Sequence, residues 1–291
     1  MKLAIYTTMP LSNNYIGVHG ITMFMFPLIK ELKRHGHIIK FCGYKAQNEK
    51  SNIFCDILKL KPYVMDISKD VINTSYVDDC DALLVYNRPP NTQEYIDQNR
   101  MINRFVLMKK PIFYWMGDDW KLPITLSQHC VLLRPFSNTQ HDKLFKYAYR
   151  YDYFVHNLYN YVFEKREKII DLVYIGNYYN RFDVFEKKFK HAHGNVVVAG
   201  SWLRDKERWN NSLKLKNILY IGEIPHCYAL PLLAISKKTK YIIPTYYKDL
   251  GMKTSRIYEA AMAGCETDVS IKNLNTVEEA YYKLIALIQR Y

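Results

Sequence analysis

The segment from Lys248 to Cys265 carries the densest set of groups able to bind an anion and a sugar. Lys248-Asp249-Leu250-Gly251-Met252-Lys253-Thr254-Ser255 is a glycine-containing loop that runs into Arg256-Ile257-Tyr258-Glu259-Ala260-Ala261-Met262-Ala263-Gly264-Cys265, a helix-forming stretch. A helix start attracts anions because its first N–H groups have no intrahelical partner and the dipole is positive there. An arginine in that turn can fork onto a phosphate. Residues three apart share a helix face, so Glu259 lies beside Arg256, where its carboxylate can accept both hydroxyls of a ribose. One face can thus hold a nucleoside diphosphate. The same spacing also describes an i, i+3 surface ion pair, which is common and worth little. Spacing alone leaves both open.

The elements around this segment must present it to a ligand. Lys2-Leu3-Ala4-Ile5-Tyr6-Thr7 reads as a strand, followed by a polar loop from Met9 to Gly20 and an amphipathic helix from Thr22 to His35 that stops at Gly36. His37–Cys42 is a second strand, and strand–helix–strand is the βαβ unit of a parallel sheet, whose ligands bind at the carboxyl ends of its strands. The rhythm continues with strands at Asp81–Tyr86 and Pro111–Met116 flanking a helix from Thr92 to Leu107. A second series begins with strands at Asp171–Gly176, Asn195–Gly200, Ile218–Gly222 and Thr239–Pro244, with helices at Arg256–Ala263 and Thr276–Arg290. The expectation is α/β architecture in two Rossmann-like, doubly wound halves facing across a cleft. Residues 1–163 form the first, 164–275 the second, and 276–291 a final helix that can return to the first half. Two halves around a cleft suit a large polar ligand.

Composition narrows the function. The chain has 291 residues, 49% of them apolar and 24% charged, which gives ample core for two domains and excludes global disorder. Lys and Arg number 41 against 28 Asp and Glu, a net charge of +13, and 26 residues are Tyr. A basic surface concentrates polyanions, of which nucleic acid is the commonest. No apolar run is long enough to span a bilayer, and the opening segment is too short for a signal peptide, so a cytoplasmic protein is expected. The six cysteines form no C-x-x-C pair, and no Ser-His-Asp signature, P-loop or G-x-G-x-x-G fingerprint is present.

The loop and helix carrying Arg256 and Glu259 resemble the nucleotide-sugar helix of GT-B glycosyltransferases. Within that fold the chain resembles the T-even-phage DNA β-glucosyltransferase family, which joins a UDP-bound sugar to 5-hydroxymethylcytosine in duplex DNA. The resemblance runs along most of the chain in the same order. Met1-Lys2-Leu3-Ala4-Ile5 is similar to that family's first strand, and Asp81–Asn87 with the turn to Asn91 is similar to the entry of its DNA-contacting finger. Ile112-Phe113-Tyr114-Trp115-Met116-Gly117-Asp118-Asp119-Trp120-Lys121-Leu122-Pro123 resembles the segment with its catalytic Asp. Val173-Tyr174-Ile175-Gly176-Asn177-Tyr178 resembles its phosphate loop, and Tyr220-Ile221-Gly222-Glu223-Ile224-Pro225 the turn that binds uracil through the backbone.

The resemblance implies roles for single residues. Arg256 would hold phosphate, Glu259 ribose, Ile224 the uracil, and Gly176 the phosphate loop; Arg181, which lies beyond that loop and does not align residue for residue with the family's arginines, is the candidate second cation for the leaving diphosphate, with an ordinary solvated Arg as the plain alternative. Transfer to a hydroxymethyl group needs a base. Register from the upstream strand selects Asp118 and register from Leu122-Pro123 selects Asp119. Asp119 is favoured because the family's Asp stands the same distance before Leu-Pro. An Asp pair that merely caps a turn is the plain alternative. The resemblance further implies a UDP-sugar donor, an inverting single displacement, stimulation by Mg2+ or Mn2+ without an obvious D-x-D motif, and a monomer.

The sugar contacts depart from the family. Ile21 stands near a family Glu, Asn157 stands at another, and the loop before Gly251 differs, leaving His19 and Asp249 as candidate sugar contacts. Fewer carboxylates suit a smaller sugar, so UDP-arabinose stands beside UDP-glucose as donor. A base inside a duplex must be flipped out before it can react. Asn91 is the candidate to fill the gap, with Arg88, Lys109, Lys110, Arg204, Lys206 and Arg208 for DNA phosphates. Two rival readings stay open: a GT-B enzyme of surface-glycan synthesis, and a catalytically silent DNA-binding protein.

Overall fold

A computed structural model of the chain describes residues 1–11, 22–45, 52–61, 76–87, 92–116, 127–137, 142–156, 166–177, 181–211, 217–243, 245–269 and 274–291. The first half contains β1 (Lys2–Leu11), α1 (Thr22–Arg34), β2 (Ile38–Lys45), α2 (Ile53–Ile57), β3 (Ala82–Asn87), α3 (Thr92–Leu107), β4 (Ile112–Met116), β5 (Val131–Arg134) and β6 (Tyr147–Arg150). The second contains β7 (Ile170–Ile175), α4 (Phe182–Phe189), β8 (Val196–Ala199), α5 (Lys206–Asn211), β9 (Ile218–Tyr220), α6 (Ala229–Ala234), β10 (Ser236–Thr239), α7 (Thr245–Asp249), α8 (Ser255–Met262) and β11 (Glu266–Thr267). A last helix, α9, spans Val277–Ile288.

The strands form two sheets, ordered β2-β1-β3-β4-β5-β6 and β11-β10-β7-β8-β9. Every pairing in both is parallel. Parallel sheets are covered on both faces, so their central strands need unbroken apolar runs rather than alternation. Ile112-Phe113-Tyr114-Trp115-Met116 and Val196-Val197-Val198-Ala199 are buried along their whole length for that reason. These two sheets have the expected α/β architecture of paired Rossmann-like units.

Aromatic rings do much of the packing. Trp115 meets Tyr86 and Tyr151 edge-on at 5.3 and 5.1 Å between ring centres. In the second half Phe185 lies 4.3 Å from Trp202 and 4.4 Å from Phe189. The six cysteines are all buried and none is in a disulfide, so they pack as small apolar residues.

Two polar seams tie the halves together. The Leu250 carbonyl accepts from the Ser137 N–H at 3.0 Å and from its hydroxyl at 2.5 Å. Asn52, the N-cap of α2, donates its side-chain amide to the carbonyls of Ile221 and Glu223 at 3.0 and 3.1 Å. The chain ends on the first half. Thr276 and Glu279 close a capping box at the start of α9. The Tyr151 hydroxyl then donates to the Ala280 carbonyl, and Tyr281 stacks on His35 at 4.0 Å.

One strand falls elsewhere than its apolar pattern suggests. Thr239–Pro244 reads as a strand, whereas β10 is Ser236–Thr239, three residues earlier. Its polar sequence hides it: Lys237 and Lys238 point to solvent, while Ser236 and Thr239 are buried. The Ser236 hydroxyl is satisfied by the Leu232 carbonyl at 2.6 Å. β5 and β6 likewise carry no signal strong enough to be read as separate strands.

Candidate nucleotide site at the carboxyl edge of the second sheet

Three glycines meet where β7, β8 and β9 end. The Gly200 N–H donates to the Gly222 carbonyl at 2.8 Å, and the Gly176 N–H donates to the Ala199 carbonyl at 3.1 Å. Gly200 has φ +128, and a Cβ there would stand 1.9 Å from the Gly176 carbonyl oxygen. Only glycine allows this approach. Trp202 donates its indole N–H to the Gly176 carbonyl at 2.7 Å, and Asn177 accepts from the Ser201 N–H and hydroxyl at 3.2 and 3.0 Å. The loops at the edge are therefore fixed to one another by backbone and side-chain hydrogen bonds.

The crossover from β10 to β11 delivers the N-terminus of α8 to the same edge. Tyr241 orients it: its hydroxyl donates to the Met252 carbonyl at 2.9 Å and accepts the Thr254 N–H at 3.1 Å. Burial pushes the Tyr241 phenol up, so it stays a neutral donor at ordinary pH. Arg256 then lies in the first turn of α8, about one-fifth exposed, and its guanidinium pairs with Glu259, whose side chain is 0% exposed. This is an i, i+3 ion pair with one partner fully buried, unlike an exposed surface pair.

Burial by itself would raise the Glu259 carboxyl, but Arg256 first and then His226 overcome it and hold the group low, at about 2. His226 opens the turn that follows Ile224-Pro225, and its Nε2 stands 3.4 Å from Glu259 Oε1. Among the described residues, neither of those two atoms completes a hydrogen bond. Arg181, the residue before α4, donates to the Ile242 carbonyl at 3.1 Å. Burial raises the Tyr174 phenol, and the charges of Arg181 and Arg256 pull it partly back. That hydroxyl in turn lies 2.7 Å from where a Gly176 Cβ would be.

The structure therefore brings Gly176, Arg181, Arg256 and Glu259 to one edge, with Ile224 in the turn that leads to His226. No backbone hydrogen bond of Ile224 occurs among the described residues, whereas its neighbours Ile221, Gly222 and Glu223 are engaged. Asp249 is exposed at the end of α7, and no contact joins it to the cluster among the described residues. His19, Arg88, Asn91, Asp118 and Asp119 lie outside the described residues, as does Asn157. In sequence the first five follow β1, β3 and β4, which are neighbours in the first sheet. Of the cations expected on DNA, Arg208 pairs with Asp183 and Lys110 donates to the Asp78 carbonyl. His226 and Tyr241 escape a reading by spacing. They are 33 and 18 residues from Glu259 in the chain, computed as 259 − 226 and 259 − 241, so only the fold places them beside α8.

Among the described residues no three His, Cys, Asp or Glu converge on a point where Mg2+ or Mn2+ could be held. No helix among them is long and apolar enough to cross a membrane.

No protein-family model and no curated protein sequence matches the chain. Solved structures do. An α-glucosyltransferase in complex with UDP and a 13-mer DNA containing a HMU base superposes with a TM-score of 0.63 at 12% identity, covering 100% of this chain and 90% of that one. The DNA-modifying enzyme β-glucosyltransferase superposes at 0.53 with 17% identity over 92% and 78% of the two chains. The T4 phage enzyme BGT in complex with its UDP-glucose substrate gives 0.54 at 16% identity over 100% and 90%. The chain has the GT-B fold of these glucosyltransferases.

Proposed function

We propose that the protein is a UDP-sugar-dependent DNA glycosyltransferase that transfers glucose or arabinose to 5-hydroxymethylcytosine in double-stranded DNA. The observation that carries the reading is the pairing of Arg256 with the fully buried Glu259 at the carboxyl edge of the second sheet, beside Arg181 and the Gly176 turn. A carboxylate is rarely buried whole unless it is paired or has a ligand to hold. The fold shared with enzymes whose names include UDP, UDP-glucose and DNA supports the same reading.

In this mechanism the Ile224 backbone receives uracil, Glu259 the ribose hydroxyls, and Arg256 with Arg181 the diphosphate, where charge grows as the sugar departs. Asp119, with Asp118 as its alternative, takes the proton of the hydroxymethyl group as its oxygen attacks the anomeric carbon. Asn91 fills the gap left by the flipped base, and Arg88 steadies the DNA backbone. His19 and Asp249 face the sugar. The division into 1–163, 164–275 and 276–291 then separates a DNA-binding half, a nucleotide-sugar half and a returning helix. A monomer acting in the cytoplasm completes the proposal. No step runs through a metal ion.

The test is a transfer assay. Hydroxymethylcytosine DNA is incubated with protein and either UDP-glucose or UDP-arabinose, and digested nucleosides are weighed by mass spectrometry. A hexose or pentose gain is expected, with a β linkage when the donor is α-linked. Asp119→Asn should lower the rate by about 10²- to 10⁴-fold. No gain with either donor overturns the proposal for those donors, and an α-linked product overturns single displacement.

A further inference from the structure

The turn that carries Ile224 is held from outside its own half. Asn52, the residue before α2 in the first half, donates its side-chain nitrogen to the Ile221 carbonyl at 3.0 Å and to the Glu223 carbonyl at 3.1 Å. Its Oδ1 accepts the Phe54 N–H at 3.0 Å, which caps α2. An amide nitrogen carries a pair of N–H donors, and here both are used on one turn. The reversed amide would set its oxygen against both carbonyls, so the partners fix its orientation. Gly222, between the two acceptors, has φ +77, a left-handed conformation that glycine takes without a Cβ penalty. Its own carbonyl accepts the Gly200 N–H at 2.8 Å, and the Pro225 carbonyl accepts the Tyr228 N–H at 3.0 Å. From 221 to 225, Ile224 is thus the one residue whose carbonyl has no hydrogen bond among the described residues.

We propose that Asn52 is a positioning residue for base recognition: its amide holds the Ile221 and Glu223 carbonyls aside, so that the peptide groups of Ile224 stay presented to uracil. The inference rests on the reading of this edge as a nucleotide site with uracil at Ile224. Base selection then depends on a residue of the first half as well as on the nucleotide-sugar half. A backbone N–H and C=O together match uracil, which offers O4 as an acceptor and N3–H as a donor. Cytosine presents the opposite pair, an amino donor and a bare N3 acceptor, and leaves the peptide groups unpaired. A turn held in place enforces that mismatch, whereas a released turn can shift to lessen it.

UDP and CDP are the probes, because they share ribose and diphosphate and differ only in the base. An effect on the shared parts, or on the folded fraction, cancels in the ratio of the two Kd values. Asn52→Ser keeps an N-cap acceptor for α2 and removes both amide donors, and Asn52→Asp does the same at nearly unchanged shape. In each, the UDP Kd should rise about tenfold and the preference for UDP over CDP should fall at least about fivefold, the scale of losing a pair of hydrogen bonds. Ser137→Ala removes the hydroxyl bond of the other seam to the Leu250 carbonyl and should leave the preference unchanged. Titration calorimetry measures UDP, and displacement of UDP measures CDP. A preference unchanged in either Asn52 variant overturns the role of Asn52 and leaves the nucleotide site standing. An equal fall in Ser137→Ala also overturns it, since any loosening between the halves would then suffice. Absence of UDP binding to the unmodified protein, or binding there without preference over CDP, overturns the reading of the edge and the role of Asn52 together.

Discussion

Two buried ion pairs, one in each half, are built differently. In the first half Arg134, at the end of β5, forks onto Asp142 with Nε 2.8 Å from one carboxylate oxygen and Nη2 on the other, and donates Nη1 to the Phe136 carbonyl at 2.5 Å. In the second, Arg256 meets Glu259 through one nitrogen, and the other carboxylate oxygen is left facing His226. Both bury charge, yet only the first encloses it in a bidentate, backbone-assisted geometry. A buried pair is a safe structural element when its geometry satisfies the desolvated groups. A pair left partly open keeps its binding capacity for something else. The Arg134 pair fixes the 135–137 turn against Leu250, whereas the Arg256 pair leaves one Glu259 oxygen without a completed hydrogen bond among the described residues.

The sharpest way to break this contrast is to cut the closed pair. Arg134→Ala strands Asp142 and the Phe136 carbonyl and should cost about 3–5 kcal/mol of stability, read by urea unfolding. A loss under about 1 kcal/mol would show that the first pair is no more structural than the second. Next in size is Gly200→Ala, which meets both the positive φ and the Gly176 carbonyl 1.9 Å from its Cβ. It should cost about 3 kcal/mol and lower the melting temperature.

Glu259→Gln should behave in the opposite way to Arg134→Ala. The stability cost is smaller, about 1–2 kcal/mol, because Gln still offers Arg256 an acceptor and Arg256 reaches solvent. Its pH signature is specific. The Glu259 carboxyl is held at about 2 in the fold against an ordinary 4.5, so its contribution is present above about pH 4.5 and is lost as pH falls toward about 2. Urea unfolding between pH 2 and 5 should show that part of the acid slope missing in Glu259→Gln. The smallest effect belongs to Arg208→Ala. Its pair with Asp183 is exposed, and its guanidinium lies 4.6 Å over the Phe182 ring, so the expected loss is about 0–1 kcal/mol.

The same contrast explains what could be read from the sequence. The fold was legible because parallel strands announce themselves: Ile112–Met116 and Val196–Ala199 are unbroken apolar runs, and Thr92–Leu107 ends on the helically spaced Met101, Ile102, Phe105 and Val106. Ser236–Thr239 was not, because a short polar strand is defined by its neighbours rather than its residues. The Arg256–Glu259 pair was visible because a helix turns i and i+3 to one face. His226 was invisible, since only the packing of α6 against α8 brings it to Glu259. Whether a pair lies on the surface or inside also escapes spacing, and here burial of Glu259 decides it.

The most direct test of the account is the binding of UDP at the open pair, measured by calorimetry on the unmodified protein and on Glu259→Ala, with folding of each checked by melting. Saturable one-to-one binding is expected, weakened at least about tenfold in Glu259→Ala, which corresponds to about 1.4 kcal/mol. Equal affinity in the two proteins, or no saturable binding to either, would contradict the assignment of this edge as the nucleotide site.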